Sequence, residues 1–473
     1  MAIPQGVYWR CGELYWHSDG GKCYLIIFGK ESEPEKGDWK MLPRSELSGN
    51  VYGSFSGAAP ASVVEQVKQE HVKASTLRNP RPGLLGNAAR NSKLKILVTD
   101  GQYKHTLSIV RSLGKKGHEV TVLARSPKDI AACSRYCSEI AYVSGTGPEG
   151  FASTVLEILK GKPQDVVIPV GYAATRALAR VKQSLLPIAR IEVADFDQIC
   201  LAADKERIRE LAAHLGIPTP STLYPDSREV VESCADRLGY PVVVKARKES
   251  AGITTRLVKE RSMLPPAFDS LVAAGVHSES DPPMVQEFIP GYGCGFFALY
   301  QHGRCKRIFM HRRIRENPPS GGISCCAESF YDQNLKELSL RLLNALQWHG
   351  VAMVEFRYDE RDSKYKLLEI NPKFWGSLDL ALAAGADFPG DLCRMAAGEQ
   401  LRYADEYRKN LRYHWLFSGD LQHAVSNPAS IPAVLFDSLN PLVKSNFWFS
   451  DLGPTLTEIR SVLRSGWRRL SES

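Results

Sequence analysis

The amino-acid sequence predicts a parallel α/β domain followed by a larger α+β domain, with a small β-rich module in front of both. Apolar strand runs alternate with helical segments from Lys93, and from about Leu201 this alternation gives way to longer strands with fewer helices between them. The chain has 473 residues, a length that accommodates about three domains of ordinary size.

The first module covers residues 1–73. Short aromatic and β-branched runs begin at Val7, Glu13 and Cys23, and Gly20-Gly21 between the last two predicts a hairpin. Residues 62–73 have the pattern of a helix. Residues 74–92 are rich in Pro, Gly, Asn and Arg without a periodic apolar pattern, which is typical of a linker. We assign no chemistry to this module.

Residues 93–200 follow the strand–helix–strand order that predicts a parallel sheet with helices on its faces. Strand runs begin at Lys95, Glu119 and Asp165. The first strand is followed by Asp100-Gly101 rather than by a glycine-rich dinucleotide fingerprint, so we predict a scaffold domain without a dinucleotide site. We interpret His105, near the start of the first helix, as structural.

Residues 201–398 form the predicted α+β domain, with a small subdomain at about 220–290. A helix over 204–215 ends at Gly216-Ile-Pro, strands follow near 240–245, 284–289 and 296–314, and a helix spans about 335–348. We expect residues 399–473, which mix aromatic residues with Pro and Gly, to be an extension packed on this domain.

Composition narrows the function classes. The formal net charge is +8, but Lys and Arg are interleaved with Asp and Glu, so we expect no nucleic-acid partner. The 11 cysteines contain no CxxC pair, which makes a zinc site improbable and fits free thiols in a reducing cytoplasm. We find neither a secretory leader nor an apolar stretch of transmembrane length, and therefore expect no membrane partner.

The most informative stretch runs from Val351 to Pro372, where two strand-like runs flank a charged turn near Asp362. Glu355 and Glu369 each lie seven residues from Asp362, so a symmetric turn would place them opposite each other on adjacent strands. Asn371 would share their face, and Val354, Phe356, Leu368 and Ile370 would fill the apolar face. Opposed carboxylates repel unless a cation lies between them, and oxygen ligands suit Mg²⁺. The alternative is a polar, solvent-facing side of the hairpin.

Weaker signals indicate phosphate and base contacts. Lys245 ends a Val-Val-Val strand before a loop that contains Gly252, where an ammonium and backbone N–H groups could meet phosphates. Lys205 opens a helix and, taken alone, would be a solvated lysine. The strand that includes Gln286 and ends in Glu287-Phe288-Ile289 could offer backbone groups to an adenine.

Three arginines, Arg312, Arg313 and Arg315, precede a Pro-Pro-Ser-Gly-Gly turn. Guanidinium groups bind phosphate or carboxylate in a bidentate manner, and Gly321-Gly322 would let the backbone approach a ligand closely. A basic surface strand is the competing interpretation.

The order of these segments resembles the ATP-grasp superfamily, in the branch of carbamoyl-phosphate synthetase large-chain domains and carboxylate–amine ligases. The resemblance covers roughly residues 93–398. Its most specific part is the run Glu369-Ile-Asn371-Pro-Lys373-Phe-Trp375-Gly376-Ser377. It implies a Rossmann-like pre-ATP-grasp domain followed by two α+β subdomains that clamp ATP.

The resemblance also implies roles for individual residues. ATP-binding residues would be Lys205, Lys245, Gly252, Gln286, Glu287, Phe288 and Ile289. The metal ligands for one or two Mg²⁺ (or Mn²⁺) would be Glu355, Glu369 and Asn371. The catalytic residues would be Arg312, which we favour for stabilising the transferred group, and Lys373. The substrate-binding residues would be Arg313, Arg315, Gly321, Gly322, Ser324, Trp375, Gly376 and Ser377.

The implied activity is acyl-phosphate formation from a carboxylate and ATP, followed by attack of a nucleophile, for which we favour an amine of amino-acid or small-peptide type. Many relatives have Arg where this chain has Lys373, and the segment from Gly291 to Gly295 lacks the acidic residue that often holds the ribose. Two alternatives stay open: a nucleotide-binding domain without ligase turnover, and a phosphotransferase or carbamoyl-phosphate-type activity. Homodimer formation is also left open.

Overall fold

A computed structural model describes the strand residues 7–11, 14–19 and 22–27, and residues 93–471 apart from 146, 226, 228, 249–254, 274–282 and 320. The predicted helix over 62–73, the predicted linker over 74–92 and the candidate residue Gly252 lie outside this range. The chain divides into two units after residue 82.

The N-terminal unit contains a three-stranded antiparallel sheet. Its strands are β1 (Val7–Cys11), β2 (Leu14–Asp19) and β3 (Lys22–Ile27), in the order β1-β2-β3. Asp19 pairs with Lys22 across the predicted Gly20-Gly21 turn, which confirms the hairpin.

The second unit begins with a four-stranded parallel sheet in the order β6-β5-β4-β7. Its strands are β4 (Lys95–Val98), β5 (Glu119–Ala124), β6 (Glu139–Tyr142) and β7 (Val166–Ile168). The helices of this region are α1 (Lys104–Lys115), α2 (Gly147–Gly161), α3 (Tyr172–Arg180), α4 (Lys182–Leu185) and α5 (Phe196–Ala202). Ile96, Leu97 and Val98 are fully buried, as expected for a strand covered on both faces.

A small antiparallel sheet follows, in the order β10-β9-β11-β8. Its strands are β8 (Thr222–Leu223), β9 (Val242–Lys245), β10 (Thr255–Val258) and β11 (Met284–Glu287). The helices are α6 (Lys205–His214), which precedes the sheet, α7 (Glu229–Leu238) and α8 (Leu264–Ala273). A separate core that includes Val231, Val244 and Leu271 holds the sheet to α7 and α8.

The largest sheet has seven strands in the order β16-β15-β12-β13-β14-β17-β18. Its strands are β12 (Gly293–Gln301), β13 (Arg304–Asn317), β14 (Ile323–Ser329), β15 (Gly350–Asp359), β16 (Lys364–Asn371), β17 (Arg412–His414) and β18 (Lys444–Ser445). The accompanying helices are α9 (Gln333–Ala345), α10 (Leu378–Ala383) and α11 (Phe388–Ala396). Phe297 and Phe296 of β12 belong to two different apolar clusters, so both faces of the central strand are covered.

The C-terminal residues do more than pack on the α+β domain, because β17 and β18 extend its largest sheet. The helices of this extension are α12 (Leu421–Ser426), α13 (Ile431–Leu439) and α14 (Leu452–Ser471). Arg315 of β13 pairs with Asp420 and Asp437, and Arg111 of α1 pairs with Asp451; all five side chains are buried. Among the residues described, none of the helices has the length and apolar character needed to span a bilayer.

Candidate active site

The hairpin of β15 and β16 places Glu355 directly opposite Glu369, and Asn371 opposite Met353 on the same face. The hairpin is not symmetric, because the register shifts between Glu355 and Phe356. Leu367 therefore takes the position on the apolar face that the sequence analysis gave to Leu368: Leu367 pairs with Phe356 and is buried, whereas Leu368 is only half-buried. This β-bulge changes the face of the sheet to which the side chains beyond it point.

Two lysines approach Glu369 from other elements. Lys205, at the start of α6, lies 3.1 Å from Glu369 through its Nζ atom. Asp204 caps that helix by accepting from the Arg207 N–H at 3.1 Å, which fixes where the helix begins. Lys245, the last residue of β9, is buried, and burial lowers the pKa of its ammonium to about 8. Burial raises the pKa of Glu369, but the charges of Lys205 and Lys245 outweigh it and lower the pKa to about 2.

The opposing glutamate is paired with an arginine. Arg313 of β13 donates to Glu355 at 2.8 Å through Nη2 and to Glu316 at 2.8 Å through Nη1. Burial raises the pKa of Glu355, and the nearby charge of Arg313 opposes this effect. Glu369 is thus paired with Lys205, and Glu355 with Arg313. These cations offset the repulsion between the two neighbouring carboxylates.

A chain of hydrogen bonds continues from Glu369 along the end of β16. The Asn371 amide donates to Glu369 Oε1 at 3.0 Å and accepts from Lys373 Nζ at 2.7 Å. Burial and, to a smaller extent, the charge of Lys373 lower the pKa of the His105 imidazole to about 3. The start of α1 thus lies near Lys373, and the structural role of His105 stays a prediction.

The proposed nucleotide segment runs from β11 into the turn before β12. Gln286 is buried and donates to Thr222 at 2.8 Å, and Glu287 accepts from the Ser221 N–H at 2.9 Å. Arg357 donates to the Ile289 carbonyl at 2.6 Å and lies 5.5 Å from the centre of the Phe288 ring. The side chains of Gln286 and Glu287 are therefore hydrogen-bonded to β8 and to the residue just before it.

The structure separates the three arginines of β13. Arg312 points away from Glu355 and donates to Glu328 at 2.7 Å, with 44% of its side chain exposed. Arg315 is buried and pairs with Asp420 and Asp437, both at 2.7 Å. Of the three arginines, Arg313 is the one that contacts a candidate metal ligand.

The Gly-Gly turn and Ser324 sit at the far end of the β13–β14 hairpin. A side chain at Gly322 would meet the Asn317 carbonyl at 2.2 Å, and Gly321 has a φ of +124°. Both glycines are therefore needed for the turn itself. Ser324 is buried, its carbonyl lies 3.5 Å from Lys104 Nζ, and its hydroxyl makes no hydrogen bond to the described residues.

The run after Asn371 lies beneath the site. Trp375 is buried against Phe297 and Phe388, with ring centroids 4.5 and 4.9 Å apart. A side chain at Gly376 would approach Lys104, and the Ser377 hydroxyl lies 2.6 Å from His311 Nε2. We conclude that Trp375 and Ser377 support the loop that carries Lys373.

Sequence reasoning missed three residues of this region: Arg357, Glu316 and His311. Arg357 donates to the carbonyls of Ile289 and Gly291, which anchors the turn after β11. Its position two residues after Glu355 on the same strand was a usable signal. Glu316 pairs with Arg313 from three residues later on β13, and no pattern in the sequence indicates this contact.

The donor set of the hairpin fits a hard divalent cation. Two carboxylates and one amide group share one face of the hairpin, and oxygen ligands are those that Mg²⁺ prefers. Groups of three or more His, Cys, Asp or Glu side chains arranged for a metal do not occur among the described residues, so bound phosphate oxygens and water would have to complete the coordination.

Comparison with known proteins identifies a family whose match overlaps this site. The family described as "ATP-grasp in the biosynthetic pathway with Ter operon" matches residues 279–418, a range that includes the whole hairpin. The formate-dependent phosphoribosylglycinamide formyltransferase of Synechococcus sp. (strain CC9605) is 32% identical over 186 residues. The match covers 37% of this chain and 45% of the relative, so the chain spans about half the length of this curated relative.

Solved structures share the fold. The biotin carboxylase domain of 2-oxoglutarate carboxylase from Hydrogenobacter thermophilus, in complex with MgADP, ADP and bicarbonate, has a TM-score of 0.55 at 15% identity and covers 68% of this chain and 74% of its own. The L-amino acid ligase from Bacillus licheniformis has a TM-score of 0.52 at 17% identity, with coverages of 66% and 76%. The parallel domain, the small sheet and the large sheet thus confirm the predicted fold class, and residues 279–418 match an ATP-grasp family.

Proposed function

We propose that this protein is an ATP- and Mg²⁺-dependent ligase that activates a carboxylate as an acyl phosphate and couples it to an amine. The observation that supports this most strongly is the opposed pair Glu355 and Glu369, with Lys205, Lys245 and Arg313 around it. A site that only binds a nucleotide does not need two partly buried carboxylates at opposed strand positions, whose mutual repulsion has to be offset by Lys205 and Arg313.

In this proposal, Glu355, Glu369 and Asn371 hold Mg²⁺, which supplies charge neutralisation for the β- and γ-phosphates. Lys205 and Lys245 bind phosphate oxygens with their ammonium groups. Both already lie beside Glu369, so the phosphates would complete a charge-balanced cluster. The turn held by Arg357 provides backbone groups for the adenine.

The reaction would proceed in two displacements. A carboxylate oxygen of the substrate attacks the γ-phosphorus, the bond to the ADP oxygen breaks, and an acyl phosphate forms. An amine then attacks the acyl carbon, phosphate leaves, and the amine loses a proton. Positioning and electrostatic stabilisation account for most of the rate of such phosphoryl transfers.

We assign the stabilisation of the transferred group to Arg313 and to Lys373, in place of the earlier preference for Arg312. Arg313 is within 2.8 Å of Glu355, whereas Arg312 is paired with Glu328 on the opposite side of β13. Lys373 lies 2.7 Å from Asn371 and can meet an anionic substrate at the end of β16. The names of the relatives support a small carboxylic acid and an amine as substrates, and free thiols support a cytoplasmic location.

The proposal is tested by incubating the full chain with ATP, Mg²⁺ and pooled amino acids and small carboxylic acids. We expect substrate-dependent release of ADP and phosphate, with a product whose mass equals acid plus amine minus water. ADP release without a condensed product would indicate phosphotransfer. ATP binding without ADP release in any pool would overturn the ligase proposal in favour of nucleotide binding alone.

Two matched variants distinguish the role of Arg313 from that of its neighbour Arg312. Arg313→Ala should lower kcat by roughly 10²–10³-fold, because it removes a cation next to the phosphates. Arg312→Ala, which removes a partly exposed side chain paired with Glu328, should change kcat by less than about tenfold. The measurement is ADP release at saturating ATP. A larger loss in Arg312→Ala than in Arg313→Ala would restore Arg312 to the catalytic role.

A further inference from the structure

The C-terminal extension exposes an unusual amount of apolar surface. More than half of the exposed large apolar side chains among the described residues lie between residues 425 and 463. The most exposed are Leu439 at 84% and Phe449 at 85%. On α13, Ile431, Leu435 and Leu439 are spaced by four residues and share its outer face, while Val434 and Asp437 point inward. Large exposed apolar patches mark interaction sites.

The acidic and basic side chains of this segment differ in their exposure to solvent. Residues 425–464 contain three acidic residues, Asp437, Asp451 and Glu458. Asp437 and Asp451 are buried and paired with arginines, and Glu458 accepts from the Asn446 amide at 2.9 Å. The acidic groups are therefore paired within the protein and contribute little negative charge to the outer surface.

The basic residues of the same segment face outward. Lys444, Arg460 and Arg464 are all exposed. Leu452, Leu456 and Arg460 are spaced by four residues on α14, so a cation continues the exposed apolar stripe of that helix. The segment therefore presents apolar and positively charged groups together, without an exposed carboxylate.

We propose that the apolar and cationic side chains exposed by this segment, among them Leu435, Leu439, Phe449, Lys444, Arg460 and Arg464, bind the surface of an anionic phospholipid bilayer. Amphipathic segments with apolar side chains and Lys or Arg bind such interfaces by burying the apolar groups and attracting the headgroups. The proposal revises our expectation that the protein has no membrane partner, and it does not depend on the identity of the enzyme's substrates.

Two observations favour lipid over the other occupants. A second copy of the chain would bring Lys444, Arg460 and Arg464 against the same cations, and like charges in contact disfavour association. The most exposed apolar side chains stand out from the protein rather than line a recess, so a protein partner would need a matching cavity for each. A lipid interface adapts to protruding side chains.

The test is sedimentation of the full chain with vesicles of equal parts phosphatidylglycerol and phosphatidylcholine, compared with vesicles of phosphatidylcholine alone. We expect binding to the anionic vesicles that weakens as salt is raised, because salt screens exposed charges. Each cation near such a surface strengthens binding roughly fivefold, so the triple variant Lys444→Gln, Arg460→Gln, Arg464→Gln should lose about 100-fold. The double variant Leu439→Ser, Phe449→Ser should lose at least about tenfold.

Matched controls use exposed residues elsewhere. Tyr142→Ser with Met263→Ser removes comparable apolar side chains, and Lys128→Gln with Lys160→Gln removes cations; both should bind as the unchanged protein does. Circular dichroism checks that every variant is folded. The proposal is overturned if the unchanged chain does not bind anionic vesicles, if the two surface variants bind as well as the controls, or if the chain is a dimer that Leu439→Ser, Phe449→Ser dissociates.

Discussion

Glu369→Gln should lower ATP turnover by about 10³-fold or more, because a metal held by its carboxylate contributes several kcal/mol of transition-state stabilisation. The substitution keeps the shape of the side chain and its hydrogen bond with Asn371 can persist through the amide oxygen. It removes the negative charge that faces Lys205 and Lys245. ADP release at saturating Mg²⁺ and substrate measures the effect.

The matched control is Glu360→Gln, at an exposed position near the turn of the same hairpin, which should turn over at the normal rate. Thermal unfolding of both variants distinguishes a chemical defect from a loss of folded protein, since Lys205 loses a partner in Glu369→Gln. A folded Glu369→Gln protein with full kcat would contradict the assignment of Glu369 as a metal ligand.

Arg315→Met should lower the free energy of unfolding by about 3–5 kcal/mol, because it leaves Asp420 and Asp437 buried without their shared cation. Arg315 donates to both oxygens of Asp420, at 2.8 and 2.7 Å, and to Asp437 at 2.7 Å. Denaturant titration gives the change in stability, and substrate KM measured on the folded fraction should remain unchanged.

The comparison for this prediction is Arg312→Met, three residues earlier on the same strand. Its pair with Glu328 is partly exposed, so its loss should change the free energy of unfolding by about 1 kcal/mol or less. If Arg315→Met were as stable as Arg312→Met but raised KM strongly, Arg315 would belong to substrate binding, as the sequence had suggested.

The fold class could be predicted because its signals are local. Apolar runs such as Ile96–Val98 and the pairing of β2 with β3 depend on neighbours in sequence, and each appears where the pattern placed it. The opposition of Glu355 and Glu369 was also predictable, although it is reached through a register shift, without which the pairs nearer the turn would set Glu355 opposite Leu368. The bulge that puts Leu367 rather than Leu368 on the apolar face could not be predicted, because the spacing of residues does not show where a strand contains an extra residue.

The contacts of the arginines on β13 could not be predicted from their spacing. Alternation along a strand indicates that Arg312 and Arg313 face opposite sides, but the sequence does not say which side contains the glutamates. Register shifts near Arg313 and Arg315 break the alternation further. The partners of Arg315 come from positions 105 and 122 residues later in the chain, so only tertiary structure identifies them.

The late position of those partners has a consequence for the chain during its synthesis. β14 is made long before β17, the strand that pairs with it, so its edge stays unpaired while more than eighty residues are added. Over the same interval Arg315 lacks both of its carboxylates. An unpaired edge beside an uncompensated charge favours association with other chains. Synthesis of β17 and of the two aspartates that follow it removes both features, so this risk is confined to the period before the C-terminal extension is made.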